Sequence, residues 1–242
     1  MMEAGAESAD GWVPQNLRWD LTPDEAIALQ REMASQVQLM NSFDPETLGT
    51  IAGIDASYRD DPETGVGTSY AAVVVLRFPD LQLVEQTVAK TEVAFPYVPG
   101  LLSFRETPGV LAALRQLTVR PDLLMLDGQG VAHPRRLGIA SHVGLLTDTP
   151  AIGVAKSVLT GRYENLGEQA GDSAPLVYKG ETIGTVLRSK VRTNPLILSP
   201  GHKIDLPTAV RLVQQCLRGY RLPEPTRQAD KLAGERPAAT DA

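Results

Sequence analysis

Two aspartates stand at the ends of apolar stretches that have the pattern of buried β-strands. Asp55 closes the stretch "TIAGID", and Asp127 closes the stretch "LLMLD". If the two strands are neighbours in one sheet, the carboxylates lie within a few ångströms of each other. Such a pair of like charges is costly unless a cation lies between them or one carboxyl is protonated, and carboxylate oxygens suit hard cations such as Mg²⁺. The pair indicates a metal site, although either aspartate alone would more often be a turn former or a helix cap.

Three further residues have side chains that could act at such a site. Glu106, in "LLSFRE", lies near the start of a predicted helix, where a solvated glutamate is the simpler interpretation. His202 follows a glycine in "SPGHKI", so a tight turn can orient its ring, and a structural role is equally open. Lys156 ends the predicted strand "GVAKS", from which a lysine can hold a phosphate or stabilise a leaving oxygen. A P-loop is excluded, because residues 150 and 155 are proline and alanine where that motif needs glycines.

The loop after Asp127, "DGQGVAHPRRLG", does not match a dinucleotide-binding turn, which would need a third glycine where the chain has His133. Basic residues instead collect near the candidate site loops. They are Arg135, Arg136, Lys156, Arg162, Arg188, Lys190, Arg192 and Lys203. A basic groove beside an acidic metal site suits phosphodiester cleavage, since cations hold the backbone and the metal activates water. Ordinary solvated surface charges are the alternative explanation.

Alternating helix and strand patterns must position these residues. A first helix begins at Thr22 with a capping box, and its apolar face runs on to Val37 and Met40. Residues 49–90 read as three consecutive strands of an antiparallel meander. Helices are then predicted at 102–117, 137–146 and 206–220, with strands and a hairpin around Lys179–Glu181 between them. This order predicts an α/β fold with a mixed β-sheet flanked by helices.

The bulk properties predict one domain over residues 19–222. Residues 1–18 are expected to be disordered, and residues 223–242 to form a loosely attached tail with a short helix around Arg227–Leu232. The net charge of −6 argues against a histone-like attraction of the whole surface to nucleic acid. No apolar run is long enough for a membrane span, and no signal-peptide pattern opens the chain. A single cysteine, Cys216, fits a reducing compartment, so we expect a cytoplasmic protein.

Taken together, five stretches resemble the endonuclease V family of deoxyinosine-directed nucleases: "GIDASY", "PYVPGLLSFRE", "DGQGVAHPRRLGIASHVG", "IGVAKS" and "SPGHKI". The resemblance implies a ribonuclease H-like fold. It implies that Asp55 and Asp127 bind a catalytic Mg²⁺, for which Mn²⁺ can substitute. Glu106 would complete the acidic site, and Lys156 and His202 would assist. Cleavage would fall at the second phosphodiester bond 3′ to the deaminated base and leave a 3′-hydroxyl and a 5′-phosphate.

The same resemblance predicts how the substrate is held. Tyr97 would belong to a wedge that parts the strands, and Arg105 would bind substrate beside it. A flipped hypoxanthine needs a snug pocket, in which Leu102 and His133 would pack on the base. Gly128 and Gly138 would let the backbone approach it, because they have no side chain. We expect the protein to be a monomer and its partner to be DNA that contains deoxyinosine. Action on inosine in RNA, or nucleic-acid binding without catalysis, are the alternatives.

Overall fold

A nine-stranded mixed β-sheet runs through the part of the chain that the computed structural model describes, residues 11–60, 67–235 and 240–241. The strands are β1 Thr50–Asp60, β2 Gly67–Arg77, β3 Leu83–Val93, β4 Leu123–Leu126, β5 Ala151–Ala155, β6 Ser173–Tyr178, β7 Glu181–Leu187, β8 Leu196–His202 and β9 Thr240–Asp241. The helices are α1 Pro23–Ala34, α2 Leu102–Leu114, α3 Ile139–Leu146, α4 Leu206–Gln215 and α5 Glu224–Glu235.

The spatial order of the strands is β6-β7-β8-β5-β4-β1-β2-β3-β9. The first three strands form the predicted antiparallel meander, and β4 and β5 then add to β1 in parallel. The predicted hairpin is also present as β6 and β7, which turn at residues 179 and 180. This mixed sheet with flanking helices confirms the predicted ribonuclease H-like α/β class.

Both faces of the central sheet are buried under helices, so its strands alternate between two apolar cores. On β4, Leu124 and Leu126 pack with α2 and α3, whereas Leu123 and Met125 pack with α4 and α5. All four residues are therefore apolar and buried, as expected for a parallel strand covered on both sides. The alternation also decides to which face of the sheet a polar side chain points, because every second residue of a strand points to the same face.

The first helix is shorter than the sequence pattern predicts. It has the predicted capping box at Thr22, but it ends at Ala34. The chain beyond it bonds to the loop after β8 instead: Lys203 N donates to Gln38 O, and Gln38 N donates to His202 Nδ1. These tertiary hydrogen bonds compete with continuation of the helix. Met40 is consequently 77% exposed instead of buried on an apolar helix face.

The predicted short helix around Arg227–Leu232 is present within α5, but the disorder expected at the start of the chain and the loose attachment expected at its end were wrong where the structure describes them. Trp12 and Val13, expected to be disordered, are buried in the core that α2 covers. Residues 1–10 lie outside the described residues. The expected loose tail contains α5, a helix of 12 residues whose Ala229 and Ala233 are fully buried. No helix among the described residues is long and apolar enough to cross a bilayer.

The helix α5 docks on β1 through two contacts on one face of that strand. A Cβ added to Gly53 would lie 1.9 Å from the carbonyl oxygen of Pro225, so only glycine allows the helix to approach so closely. Four residues along the strand, the Ser57 hydroxyl donates to the carbonyl of Ala233 at 2.7 Å. Asp55 lies between these two contacts and on the same face, because it is two residues from each.

Replacing Gly53 by alanine should therefore displace α5. The new methyl group overlaps backbone atoms, which cannot rotate away, so we expect a loss of about 2 kcal/mol or more and a melting temperature lower by about 5 °C. Limited proteolysis should cut at residues 223–235 sooner than in the unsubstituted protein. Gly234→Ala is the matched control, because among the described residues nothing beyond its chain neighbours and its own helix backbone lies within 4 Å of the added Cβ. Equal melting temperatures for the two variants would contradict the close contact.

Candidate active site

The two predicted aspartates meet across the parallel pair β1 and β4. Ile54 pairs with Leu126 in the register, and Asp127 N donates to Ile54 O at 2.9 Å. Asp127 follows the end of β4, as the sequence predicted. Asp55 does not end its strand, because β1 continues to Asp60 along β2. Asp55 nevertheless lies beside Asp127, because the neighbouring strand β4 has already ended at this level of the sheet.

A third carboxylate, which the sequence analysis missed, completes the cluster. Asp230, on α5, brings an oxygen to within 4.8 Å of oxygens of both Asp55 and Asp127. It arrives there because α5 packs over Gly53 and Ser57. The overlooked signal is in the tail itself. After "PEP", small and apolar residues recur at 229, 232 and 233, which is the spacing of a buried helix face.

Lys156 supplies the cation of this cluster. Its Nζ lies 2.5 Å from Asp127 Oδ2 and 2.6 Å from Asp230 Oδ1. Burial alone would lower the pKa of the ammonium group, but its hydrogen bonds to both carboxylates outweigh burial and raise that pKa. The backbone of Lys156 is also fixed, since Arg221 Nη2 donates to its carbonyl at 2.7 Å. The lysine therefore remains charged and offsets part of the repulsion among the carboxylates.

The carboxyls of the cluster ionise with difficulty. Burial, and then the nearby charge of Asp127, raises the pKa of Asp55 to about 7. Burial also raises the pKa of Asp127, whereas the hydrogen bond and the charge of Lys156 lower it. Glu106 lies on α2, against the other face of the sheet, and burial raises its pKa to about 8. Charges on Asp55 and Asp127 contribute to this rise, so Glu106 is electrostatically coupled to the cluster without being one of its three close members.

An open cavity of about 150 Å³ lies beside the cluster. It is next to the aspartates because Gln129 on its wall is only two residues from Asp127. Its walls are mainly apolar. The lining residues are Tyr97, Val98, Pro99, Gly100, Leu102, Ser103, Gln129, His133, Leu137, Gly138, Ile139 and Leu159. A cavity with a few polar groups on mainly apolar walls has the lining typical of a small-molecule or base-binding site.

Four of the six residues predicted to bind substrate line this cavity: Tyr97, Leu102, His133 and Gly138. Tyr97 is 71% exposed, so it is not a buried structural tyrosine. Arg105 is not among the lining residues. Its Nη1 donates to Phe95 O at 3.3 Å, and its guanidinium lies over the ring of Tyr58.

The two glycines of this loop are required by packing within the protein, because a side chain at either position would collide with neighbouring atoms. Gly128 does not line the cavity, and an added Cβ there would lie 2.5 Å from Ile139 Cγ2. A Cβ on Gly138 would overlap the backbone of Gln129. The expectation that these glycines open the backbone to a base is therefore wrong for Gly128. Both permit the loop to fold tightly on the start of α3.

Arg135, expected to face phosphate, instead holds the cavity wall together. Its Nη2 donates to Gly100 O at 2.8 Å, and its Nε donates to the side-chain oxygen of Gln30. His133 Nε2 lies 3.0 Å from the same Gly100 oxygen, and its Nδ1 accepts from Arg135 N. Burial and the neighbouring arginine lower the pKa of His133 to about 4. The imidazole is therefore neutral at pH 7, with both of its nitrogens engaged.

His202 does not reach the cluster. It is the last residue of β8 and pairs with Ala151, the first residue of β5, whereas Lys156 lies five residues further along, just beyond the end of β5. Five strand residues span about 16 Å, so the histidine lies near the opposite end of the sheet. There it is buried, accepts from Gln38 N, and has Asp148 Oδ1 at 3.7 Å from its Nε2. The expected catalytic role of His202 is not supported by this geometry.

Comparison with known proteins identifies the family. The profile of the Endonuclease V family matches residues 31–231, more than three quarters of the chain. The chain belongs to the endonuclease V family. An endonuclease V of Nostoc punctiforme is 53% identical over 216 residues, which cover 89% of this chain and 95% of that protein. The chain is therefore a nuclease, as the sequence predicted.

Solved structures of the family have the same fold. The endonuclease V of Streptomyces avermitilis is 43% identical and superposes with a TM-score of 0.83, covering 92% of this chain and 96% of that one. A Ciona intestinalis endonuclease V, bound to a 23-mer DNA that contains an inosine followed by a ribo-adenosine, is 26% identical with a TM-score of 0.74. That match covers 89% of this chain and 98% of the Ciona chain. The family match also includes α5 as far as residue 231, and hence Asp230.

The raised pKa of Asp55 predicts how the metal-free protein responds to pH. The folded state keeps this carboxyl protonated up to a pH of about 7, whereas the unfolded chain ionises it near 3.8. Its contribution to stability is thus full below pH 4 and is lost as the pH rises through 7. Each unit of pKa difference corresponds to about 1.4 kcal/mol before solvent screening, so the loss is of the order of a few kcal/mol.

Thermal unfolding in chelator from pH 5 to pH 8.5 tests this expectation. The melting temperature of the unsubstituted protein should fall as the pH rises, and Asp55→Asn, which mimics the protonated form, should fall less steeply. Asp80→Asn is the control, because Arg77 lowers the pKa of that exposed carboxyl out of this range. Parallel curves for all three proteins would show that Asp55 ionises normally in the fold.

Proposed function

We propose that this protein is a Mg²⁺-dependent endonuclease that recognises deoxyinosine in DNA. It cleaves the second phosphodiester bond 3′ to that base and leaves a 3′-hydroxyl and a 5′-phosphate. The proposal rests on one observation: the carboxylate cluster and the cavity adjoin each other on one loop. Asp127 belongs to the carboxylate cluster, and Gln129 lines the base-sized cavity. The inosine-containing DNA bound by the Ciona relative supports this substrate.

The carboxylate cluster suits a hard divalent cation. Three aspartates, Asp55, Asp127 and Asp230, offer oxygens within 4.8 Å of one another, and oxygen ligands are what Mg²⁺ and Mn²⁺ prefer. These three residues would hold the ion. A bound Mg²⁺ supplies a water of lowered pKa and neutralises charge on the phosphate. The raised pKa values of Asp55 and Asp127, which come first from burial, show that negative charge is costly at this site, and a bound cation would offset that cost.

Lys156 and Glu106 have complementary roles in this scheme. The ammonium group of Lys156 now contacts Asp127 and Asp230, and with a cation held by these carboxylates it would be available to bind a non-bridging phosphate oxygen. There it stabilises the charge that develops as the bond to the leaving oxygen breaks. Glu106, whose pKa burial raises to about 8, carries a proton at neutral pH. It can exchange that proton with groups at the cluster as a general acid or base.

The cavity receives the base itself. Its walls offer Leu137, Ile139 and Leu159 for packing on the faces of a flat ring. Tyr97 and Leu102 are exposed at the cavity, with 71% and 43% of their surface accessible. They fit the place that a flipped base leaves in the stack, where an aromatic ring can substitute for the lost stacking.

Cleavage of paired DNA and RNA oligonucleotides, each with one inosine, tests the proposed reaction with and without Mg²⁺. Asp127→Asn and Asp230→Asn should bind the DNA but not cut it, because each removes a charged metal ligand while nearly preserving volume. His202→Asn should lower the melting temperature but still cut. A cut mapped elsewhere than the second 3′ bond, or preference for the RNA, would overturn the proposed substrate. Near-normal cutting by Asp230→Asn would overturn its place in the metal site.

The role of Tyr97 can be tested separately. Replacing it by alanine should weaken binding to inosine-containing duplex by about tenfold more than binding to plain duplex, since stacking of one base is worth about 1–3 kcal/mol. The melting temperature should not change, because the side chain is exposed. Tyr163→Ala is a matched control, for that tyrosine is also exposed but does not line the cavity. Equal weakening on both duplexes would exclude a wedge that acts at the lesion.

A further inference from the structure

Most polar groups around the cavity are already engaged within the protein. His133 is bonded through both of its ring nitrogens. The Gly100 oxygen accepts from Gln30, His133 and Arg135, and Gly138 N donates to Gly130 O. These groups shape the wall but have little hydrogen-bonding capacity left for a ligand.

Two side chains on the wall are exceptions. The Ser103 hydroxyl and the Gln129 side-chain oxygen are buried and have no hydrogen-bond partner in the described part of the chain. Ser103 is 3% exposed and Gln129 is 9% exposed, and both line the cavity. Buried polar atoms are rarely left unsatisfied in native proteins. Their position in a cavity wall points to a ligand that completes the hydrogen bonds.

The chemistry of the two atoms defines the ligand edge that they fit. Gln129 Nε2 donates to Ser157 O at 2.9 Å, which fixes the amide so that its remaining oxygen can only accept. The Ser103 hydroxyl can donate or accept. The pair is complementary to a ring N–H beside a carbonyl, as in the N1–H and O6 of hypoxanthine. In the same orientation, adenine would place the lone pair of its N1 against the Gln129 oxygen.

We propose that Ser103 and Gln129 are specificity-determining residues, which hydrogen-bond the N1–H and O6 edge of the flipped base. This inference rests on the proposed function of the cavity and adds to it. The apolar wall accepts any flat ring by packing, whereas this pair distinguishes rings by their polar edge. Specificity by such a pair is strong, because a base that lacks the matching groups leaves both buried atoms unpaired.

The test compares two purines in otherwise identical duplexes, hypoxanthine and the base of deoxynebularine, which lacks both the 6-oxygen and the N1 hydrogen. Binding is measured at equilibrium in chelator, so that no strand is cut. The unsubstituted protein should bind the hypoxanthine duplex more tightly than the nebularine duplex. Ser103→Ala should lose about fivefold to tenfold on hypoxanthine, the size of one hydrogen bond, and little on nebularine. Gln129→Met should show the same pattern.

Ser141→Ala is the matched control for the serine variant. Its hydroxyl is also buried without a partner in the described part of the chain, but it does not line the cavity. It should change neither affinity. Melting temperatures of all three variants show whether a loss comes from the fold. If Gln129→Met is destabilised by losing its bond to Ser157, the result with Ser103→Ala decides.

The outcomes separate this inference from the function on which it rests. If the unsubstituted protein binds inosine-containing duplex no better than undamaged duplex, the proposed function fails. If it prefers inosine but Ser103→Ala weakens both purines equally, or neither, the proposed function survives and the assignment of Ser103 is overturned. Loss confined to hypoxanthine supports direct contact with the base edge.

Discussion

The mutual repulsion of the aspartates is the constraint around which the cleft is built. Asp55, Asp127 and Asp230 bring their oxygens together in a partly buried site, where like charges interact more strongly than in water. Only packing elsewhere can hold them there. The strand β1 is fixed by its pairing with β2 and β4, and α5 is held by its contact with Gly53. Lys156 offsets part of the remaining charge.

The two-residue period of the strands explains why these groups share one side of the sheet. Asp55 follows Gly53 by two residues, Asp127 follows Met125, and Lys156 follows Val154. Each therefore points to the face that α4 and α5 cover. Glu106 comes from α2, on the other face, so carboxyl groups reach the cleft from both layers. The helix α5, which carries Asp230, packs on β1, the strand that carries Asp55.

The sequence was sufficient for the α/β fold class, the meander and the hairpin, because these depend on local periodicity. The proximity of Asp55 and Asp127 was predicted only on the condition that their strands are neighbours, which the pairing of β1 with β4 fulfils. It was insufficient where tertiary contacts decide. Asp230 was missed because a polar stretch rich in proline resembles a solvated tail until Gly53 offers it a docking surface. His202 was misplaced because a loop motif gives no information on which end of the sheet the loop occupies. Arg135 resembled a phosphate ligand, but its partners are carbonyl and amide oxygens far away in sequence.

The position of Asp230 on α5 also affects when the protein acquires its chemistry during synthesis. A ribosome synthesises β1 and β4 long before α5. A nascent chain that ends before α5 holds only two of the three clustered aspartates. Chains truncated before residue 224, and chains still being translated, thus lack one wall of the ion site. The order of elements along the chain therefore delays completion of the cutting site until α5, almost the last element, has been synthesised.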